Sequence, residues 1–329
     1  MKVARFFNPE RIEIIEEPVP EISPGEVLLR VEACGLCGTD LFKLKKGAGG
    51  KVLGHEISGV VEETKGNTGF SQGDRVFVAH HIPCFLCHHC RRGNFSLCSL
   101  FQSTNIHPGG FSQYIRIPTQ NVEKGMIKLS PTISFDEATL IEPFACVWRN
   151  LKRLSPLPDD EILIIGAGPA GIMHLHLLKL KGIEEIDIME IKKERKKIAE
   201  KFHPRKVLSP HDMQEKKYDI CVVCAGSTQA IEEGLKRLKK GGKLSIFAQV
   251  PEGSSIQVDP NLIYFETTFL GTYSSSPIEQ REIYNLMKMG KIKGKDFITH
   301  TFPLSRIKEA VNLALEGRDS LKIIIHPQK

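Results

Sequence analysis

The chain has 329 residues, 41% hydrophobic and 26% charged, with 45 basic against 39 acidic side chains for a net charge of +6. That length allows two ordinary domains, and a small basic excess spread along the chain excludes the concentrated cationic face of a nucleic-acid binder. No run of 18 or more apolar residues exists, which excludes an apolar membrane-crossing helix; "MKVARFFNPERIEIIEEP" has no apolar signal core, so a cytoplasmic protein is expected.

Short strands and turns come first. "EVLLRVEACGLC", "GHEISGVVEE" and "GDRVFVAHH" read as strands, punctuated by Pro24-Gly25, Gly49-Gly50, Gly73 and Pro108-Gly109-Gly110. The expectation is an antiparallel, barrel-like β domain. Within it, "CFLCHHCRRGNFSLC" carries Cys84, Cys87, Cys90 and Cys98 in C-x2-C-x2-C-x7-C spacing. Clustered cysteines in a reducing compartment point to metal or chemistry rather than disulfides. Four thiolates so spaced suit a closed, tetrahedral, structural zinc site, with rubredoxin-like iron or a cluster as the alternative. His88 and His89 read as solvated neighbours on that loop.

A second constellation is scattered. "GLCGTD" supplies Cys37 and Thr39, "GHE" supplies His55 and Glu56, and "IEP" supplies Glu142. A thiolate, an imidazole and a carboxylate bind zinc while leaving one position open, which is what makes a zinc site catalytic.

Near residue 135 the character changes. "SFDEATLIEPFACVWRNLKRL" has helical apolar spacing, with Ser134 as N-cap and Glu137 three residues on. Strands ("EILIIGAG", "EIDIMEI", "YDICVVCAG", "KLSIFAQV") then alternate with helices ("PAGIMHLHLLKLKG", "KKERKKIAEKF", "STQAIEEGLKRLKKGG"). That alternation predicts a parallel, doubly wound sheet. Two further helices and a last strand, "LKIIIHP", follow, and the strand is free to return to the first domain.

"GAGPAG" places Gly166, Gly168 and Gly171 in G-x-G-x-x-G spacing between strand and helix, with Pro169 and Ala170 opening the helix. The glycines permit the tight turn, the approach of a pyrophosphate and close helix–strand packing, and the helix N-terminus offers its N–H groups to phosphate. Glu190, at the end of the next strand, suits a ribose diol and favours NAD over NADP. Lys192, Lys193 and Arg195 pull the other way, although Arg195 also suits a place against the adenine. Cys221 and Cys224 fall on opposite faces of a strand and read as packing, as do Cys34, Cys146 and the pair His174 and His176.

"CGLCGTD", "LGHEISGVV", "GDRV", the four-cysteine lobe, "GAGPAG" and "FPLSRIKEAVNLALEG" stand in one order over nearly the whole chain. In that order the chain resembles the zinc-dependent medium-chain dehydrogenase/reductase family. The glutamate at position 142, where the family's alcohol dehydrogenases carry a cysteine, resembles its sorbitol (polyol), threonine and sugar dehydrogenase branch. The resemblance implies a GroES-like β-barrel catalytic domain (1–137 and 276–329, with a structural zinc lobe at about 80–100) and a Rossmann dinucleotide-binding domain (138–275). It implies two zinc ions per chain: one on Cys84, Cys87, Cys90 and Cys98, and one on Cys37, His55 and Glu56, with Glu142 bound directly or through water. It implies NAD-dependent, reversible oxidation of a secondary alcohol to a ketone, with Thr39 hydrogen-bonding the substrate oxygen, and a homodimer or homotetramer.

The chain departs from that pattern. Phe42 and Arg149 stand where the branch often has histidines, and "LFKLKKGAGGKVLGHE" is short and rich in lysine. A polyol or sugar derivative is the expected substrate, with a threonine-type amino alcohol or a sugar phosphate or sugar acid as alternatives. Lys43, Lys45, Lys46, Lys51 and Arg149 give the anionic alternative some weight, and Arg149 is expected at the substrate mouth. A zinc-stabilised binding protein without catalysis is the remote reading.

Overall fold

The computed structural model describes residues 1–212 and 216–329. They form two compact units: Met1–Ala145 with Ser275–Lys329, and Cys146–Ser274. The first break falls within the helix Ile141–Leu154. Among the described residues no helix is long and apolar enough to cross a membrane.

The first unit is built on the strand Val27–Gly35, whose alternate side chains Val27, Leu29 and Val31 are fully buried. It pairs antiparallel with Glu56–Thr64, with Tyr114–Ile117 and with the closing strand Lys322–His326. The whole sheet runs Ile298–Pro303, Lys322–His326, Val27–Gly35, Glu56–Thr64, Arg75–Val78, Met126–Lys128. Leu29, Val31, Ile57, Val61, Val76, Val78, Ile115 and Phe111 fill one core between these strands. The closing strand therefore does return, and it lies parallel to Ile298–Pro303 but antiparallel to Val27–Gly35. The N-terminal hairpin Lys2–Asn8 and Arg11–Glu16 has Lys51–Val52 on its free edge.

The expected single helix over residues 134–154 is two. Ser134 caps Phe135–Thr139 in a full capping box with Glu137, and a second helix starts at Ile141. Pro143 explains the break, because its ring would collide with the carbonyl four residues earlier in a continuous helix.

The second unit carries a parallel sheet in the order Lys206–Leu208, Ile186–Met189, Ile162–Ile165, Tyr218–Val223, Leu238–Ile246, Thr268–Gly271. The helix expected to run through Gly242 ends at Lys236, and "LKKGG" instead opens the strand Leu238–Ile246. Gly241 has φ +76°, a backbone state that no helix continues through. Leu238 is drawn into the sheet beside Tyr218.

One polar cluster locks this sheet's N-terminal edge. Arg205 Nε donates to Asp187 at 2.8 Å, and Tyr218 Oη donates to the same carboxylate at 2.8 Å. Lys216 and Lys239 reach Glu161 at 2.7 and 2.9 Å. Hydrogen bonds from Lys216 and Lys239 hold the Glu161 carboxyl down to about 2. Burial pushes Asp187 up, but Arg205 and Tyr218 outweigh it and its carboxyl also lies below the usual range. Depressed carboxylates stabilise the fold above their unfolded pKa and lose that contribution as pH falls through the folded value. Arg205→Ala should therefore lower unfolding free energy clearly at pH 7 and much less at pH 3, as measured by urea denaturation at both values. An equal loss at both would show that the cluster acts by packing alone.

Candidate metal and nucleotide sites

Two groups of side chains in the first unit have converging ligand atoms. In each of them, Cys84, Cys87, Cys90 and Cys98, and Cys37, His55 and Glu56, the ligand atoms all lie within 4.8 Å of one another. Both come from the residues that the sequence singled out.

The four-cysteine lobe is wrapped by its own backbone. Leu86 N and Cys87 N donate to Cys84 Sγ at 3.4 and 3.2 Å, and Cys84 N donates to Cys98 Sγ at 3.3 Å. Those two bonds to Cys84 bring its thiol down to about 6, whereas burial pushes Cys90 up to about 12. The lobe's buried cluster is only Cys90, Cys98 and Phe101, edged by Phe95 and Leu100. Such a core is too small to hold a loop by apolar burial, and a tetrahedral cation on four sulfurs fits what is missing.

The second group is assembled from two parts of the chain. Cys37 is the N-cap of the helix Gly38–Lys45, in a capping box with Asp40. His55 and Glu56 lead into the strand Glu56–Thr64. Asp40 is 1% exposed; it accepts from Cys37 N at 3.1 Å and Gly54 N at 3.3 Å and lies 3.4 Å from His55 Nδ1. Burial disfavours charge on His55, but Asp40 and Cys37 outweigh it and hold its pKa well above the usual value. A cation bound here would take that proton's place. Glu56 is fully buried; Lys322 Nζ donates to its Oε2 and also to Leu36 O at 3.1 Å. Its Oε1 has no hydrogen-bond partner. An orphaned buried carboxylate oxygen facing a thiol and an imidazole fits a bound zinc ion.

Thr39 is exposed beside this group, its backbone N donating to Cys37 Sγ at 3.5 Å. Glu142 is 4% exposed, and its charge helps to keep Lys322 protonated, although it is not among the three converging ligands. Arg149 corrects the sequence reading. It is 3% exposed, and its Nη1 donates to the carbonyls of Tyr273 and Ser274 at 2.8 and 3.3 Å, which is a structural post and not a substrate contact.

Sequence reasoning missed Asp40, Lys322 and His80. The first had a signal, the Cys37-x-x-Asp40 spacing of a capping box. Lys322 had none, since it lies in an apolar strand near the other end of the chain. His80 packs its ring 4.8 Å from His55 and 4.2 Å from His81. Burial and the neighbouring His55 keep it well below its usual pKa, hence neutral.

In the second unit the glycine turn follows the strand Ile162–Ile165. Gly166 has φ +104°, and a Cβ on Gly171 would lie 1.9 Å from Gly166 O. Gly168 caps the helix Pro169–Leu180, with Pro169 in its first turn, and Ala170 O accepts from His174 Nδ1 at 2.8 Å. Burial keeps His174 neutral, with a pKa of about 4, and Asn150 contacts its other ring nitrogen at 3.0 Å, which makes it structural as expected. Glu190 accepts from Ala167 N, Ile191 N and Lys192 N at 2.8, 2.8 and 2.9 Å. The Arg195 guanidinium lies over the turn, its Nη1 3.2 Å from where a Gly168 Cβ would stand.

The comparisons agree with this geometry. Residues 23–128 match the alcohol dehydrogenase GroES-like domain, and residues 169–291 match the zinc-binding dehydrogenase domain. The chain is 30% identical to an L-threonine 3-dehydrogenase of Pyrococcus abyssi, over 93% of this chain and 92% of that one. It is 28% identical to a sorbitol dehydrogenase of Bacillus subtilis, over 100% and 98%. Among solved structures, an oxidoreductase of unknown specificity from Escherichia coli superposes with a TM-score of 0.86 at 25% identity, covering 99% of both chains. The chain belongs to the zinc-dependent medium-chain dehydrogenase/reductase family, in its polyol and threonine dehydrogenase branch. It is an oxidoreductase of the alcohol dehydrogenase type, with zinc and a nicotinamide dinucleotide as cofactors.

Two experiments separate the metal groups. Cys98→Ser should lower the melting temperature and release one zinc by elemental analysis, whereas Cys37→Ser should keep the fold and abolish turnover. One zinc per folded, active wild-type chain would refute the pair of sites. Lys322→Met should cost the chelator-stripped protein about 3–5 kcal/mol, since it leaves Glu56 buried without its partner. Added zinc should recover more of that loss than it adds to wild type, measured by urea denaturation with and without metal.

Proposed function

We propose that the protein reversibly oxidises a secondary alcohol to a ketone with NAD, acting on a polyol or sugar derivative. The observation that carries this reading is the convergence of Cys37, His55 and Glu56 around a buried, unpartnered Glu56 Oε1. Three protein ligands leave one position for substrate. A binding protein without catalysis would have no use for an open position.

In this reading Cys37, His55 and Glu56 hold a catalytic zinc, Glu142 completes its shell directly or through water and yields that position when substrate arrives, and Cys84, Cys87, Cys90 and Cys98 hold a structural one. Zinc at the first site supplies Lewis acidity to an alcohol oxygen. The remaining work is the chain's own. Asp40 fixes the orientation of the His55 ring, as outer carboxylates do for metal-bound imidazoles. Thr39 hydrogen-bonds the substrate hydroxyl and takes its proton toward solvent, since Phe42 has no group to relay it. Lys322 donates to one oxygen of Glu56 and leaves the other for the metal. In the second unit, residues Gly166, Gly168, Pro169, Ala170 and Gly171 cradle the pyrophosphate. Glu190 has three lone-pair directions filled by backbone and keeps capacity for a ribose hydroxyl, and Arg195 lies beside the phosphates or the adenine. The net reaction moves a hydride from the carbinol carbon to the nicotinamide and releases one proton.

None of the nine cysteines is in a disulfide, which suits a cytoplasmic protein. The edge strand Thr268–Gly271 and its flanks expose Tyr264, Phe269 and Tyr273, which favours a homodimer or homotetramer over a monomer.

NADH formation, followed at 340 nm, with polyols, threonine and phosphorylated or acidic sugars is the direct test. Oxidation of threonine in preference to every polyol would replace the substrate class. NAD should give the higher kcat/KM, and Glu190→Ala should shift the ratio toward NADP by about tenfold, the equivalent of roughly 1.4 kcal/mol. A wild type that already prefers NADP would remove Glu190 from the ribose.

A further inference from the structure

The first unit contains a cavity of about 390 Å³ whose wall includes His55 of the metal group and Asp40 beside it. The rest of its charged lining is Lys43, Lys46 and Lys51. Lys43 and Lys46 end the helix Gly38–Lys45 and form its cap, and Lys51 opens the short strand across the glycine-rich turn between them. Asp40 is the one carboxylate in the wall, and its oxygens are already committed to Cys37 N, Gly54 N and His55. Neither Lys43 nor Lys51 forms an ion pair with a carboxylate among the described residues. The Lys46 ammonium lies over the Phe42 ring at 4.9 Å, which holds it on this side of the helix.

A neutral polyol accounts for Asp40, Asn105, His80 and His81 in this wall but not for its three lysines. Its hydroxyls call for carboxylates and amides that accept and donate at close range, whereas ammonium groups are point charges that suit phosphate. Three like charges around one cavity repel one another, and a dianion relieves that repulsion.

Resting on the dehydrogenase reading above, we propose that this cavity seats a phosphate monoester, so that the substrate is a phosphorylated polyol. Its carbinol lies at Cys37, His55 and Glu56 and its phosphate among Lys43, Lys46 and Lys51. The phosphate is a handle only. No P–O bond forms or breaks, the carbinol C–H leaves as hydride to NAD, and the O–H proton goes to solvent.

The test uses the zinc-loaded full chain with NAD. Erythritol, xylitol, sorbitol and galactitol are each compared with their terminal phosphate monoesters, with gluconate as the carboxylate control. At least one phosphate ester should exceed its neutral parent in kcat/KM by about 100-fold. Lys43→Ala/Lys51→Ala should collapse that ratio, chiefly through KM, and raising ionic strength should erode it in wild type. Inorganic phosphate should compete with the alcohol in wild type but not in the double variant. Neutral polyols oxidised as well as their esters, gluconate preferred over every ester, or a preference that survives the double variant would each overturn the proposal. Calorimetric titration of sorbitol 6-phosphate into Cys37→Ser protein, with and without the two lysine changes, separates this proposal from the dehydrogenase reading. Lysine-dependent binding to Cys37→Ser protein, with no turnover of any polyol or ester by the wild type, would sustain the cavity and sink the reading; turnover of neutral polyols by the wild type without lysine-dependent binding would do the reverse.

Discussion

A fully buried carboxylate governs the first unit. Glu56 lies at 0% exposure with Lys322 on one oxygen and nothing on the other. An ionised group so placed is tolerated only when it is paired or bound to metal. Its neighbourhood is built to that requirement. Gly35 is glycine because a Cβ there would lie 1.9 Å from Glu56 Oε2. Lys322 reaches the same oxygen because its strand pairs with Val27–Gly35 at Ile324 and Gly35. The C-terminal strand is thus an electrostatic part of the site as well as a piece of sheet.

The two cysteine-bearing groups solve opposite problems. The lobe at Cys84–Cys98 has almost no apolar core, and its four converging sulfurs are what a cation would bind in place of one. The group at Cys37 lies in a unit with a large apolar core, and its three ligand atoms would leave one tetrahedral position open. In the lobe the chain's own N–H groups aim at sulfur, and around His55 a buried aspartate aims at the ring. Both arrangements orient ligands before a metal arrives, which lowers the cost of binding it.

The second unit couples its nucleotide turn to its own rigidity. Glu190 holds Ala167, inside the glycine turn, while its other oxygen caps the backbone of Ile191 and Lys192. The residue suited to a ribose therefore also fixes the loop suited to a pyrophosphate, so cofactor choice and loop order cannot be varied independently there.

Much of this was legible in one dimension. Alternating apolar residues gave Val27–Gly35, the G-x-G-x-x-G turn gave the parallel sheet's first crossover, and C-x2-C steps marked the lobe, because each is a local pattern with a local physical cause. The break at Leu140 and the early end of the helix at Lys236 were misread, although Pro143 and Gly241 stood in plain view; apolar periodicity masked them. Arg149 was misplaced because charge in a sequence carries no direction. The ligand types offered at Cys37, His55 and Glu56 were legible in the sequence by itself, since residue type fixes what an atom can bind. Only the tertiary structure decided that Lys322 would neutralise Glu56, that Asp40 would be spent on His55, and that three lysines would wall one cavity with it. Those relations join residues up to 286 positions apart, as Lys322 Nζ and Leu36 O are, and no periodicity along a chain records where its two ends meet.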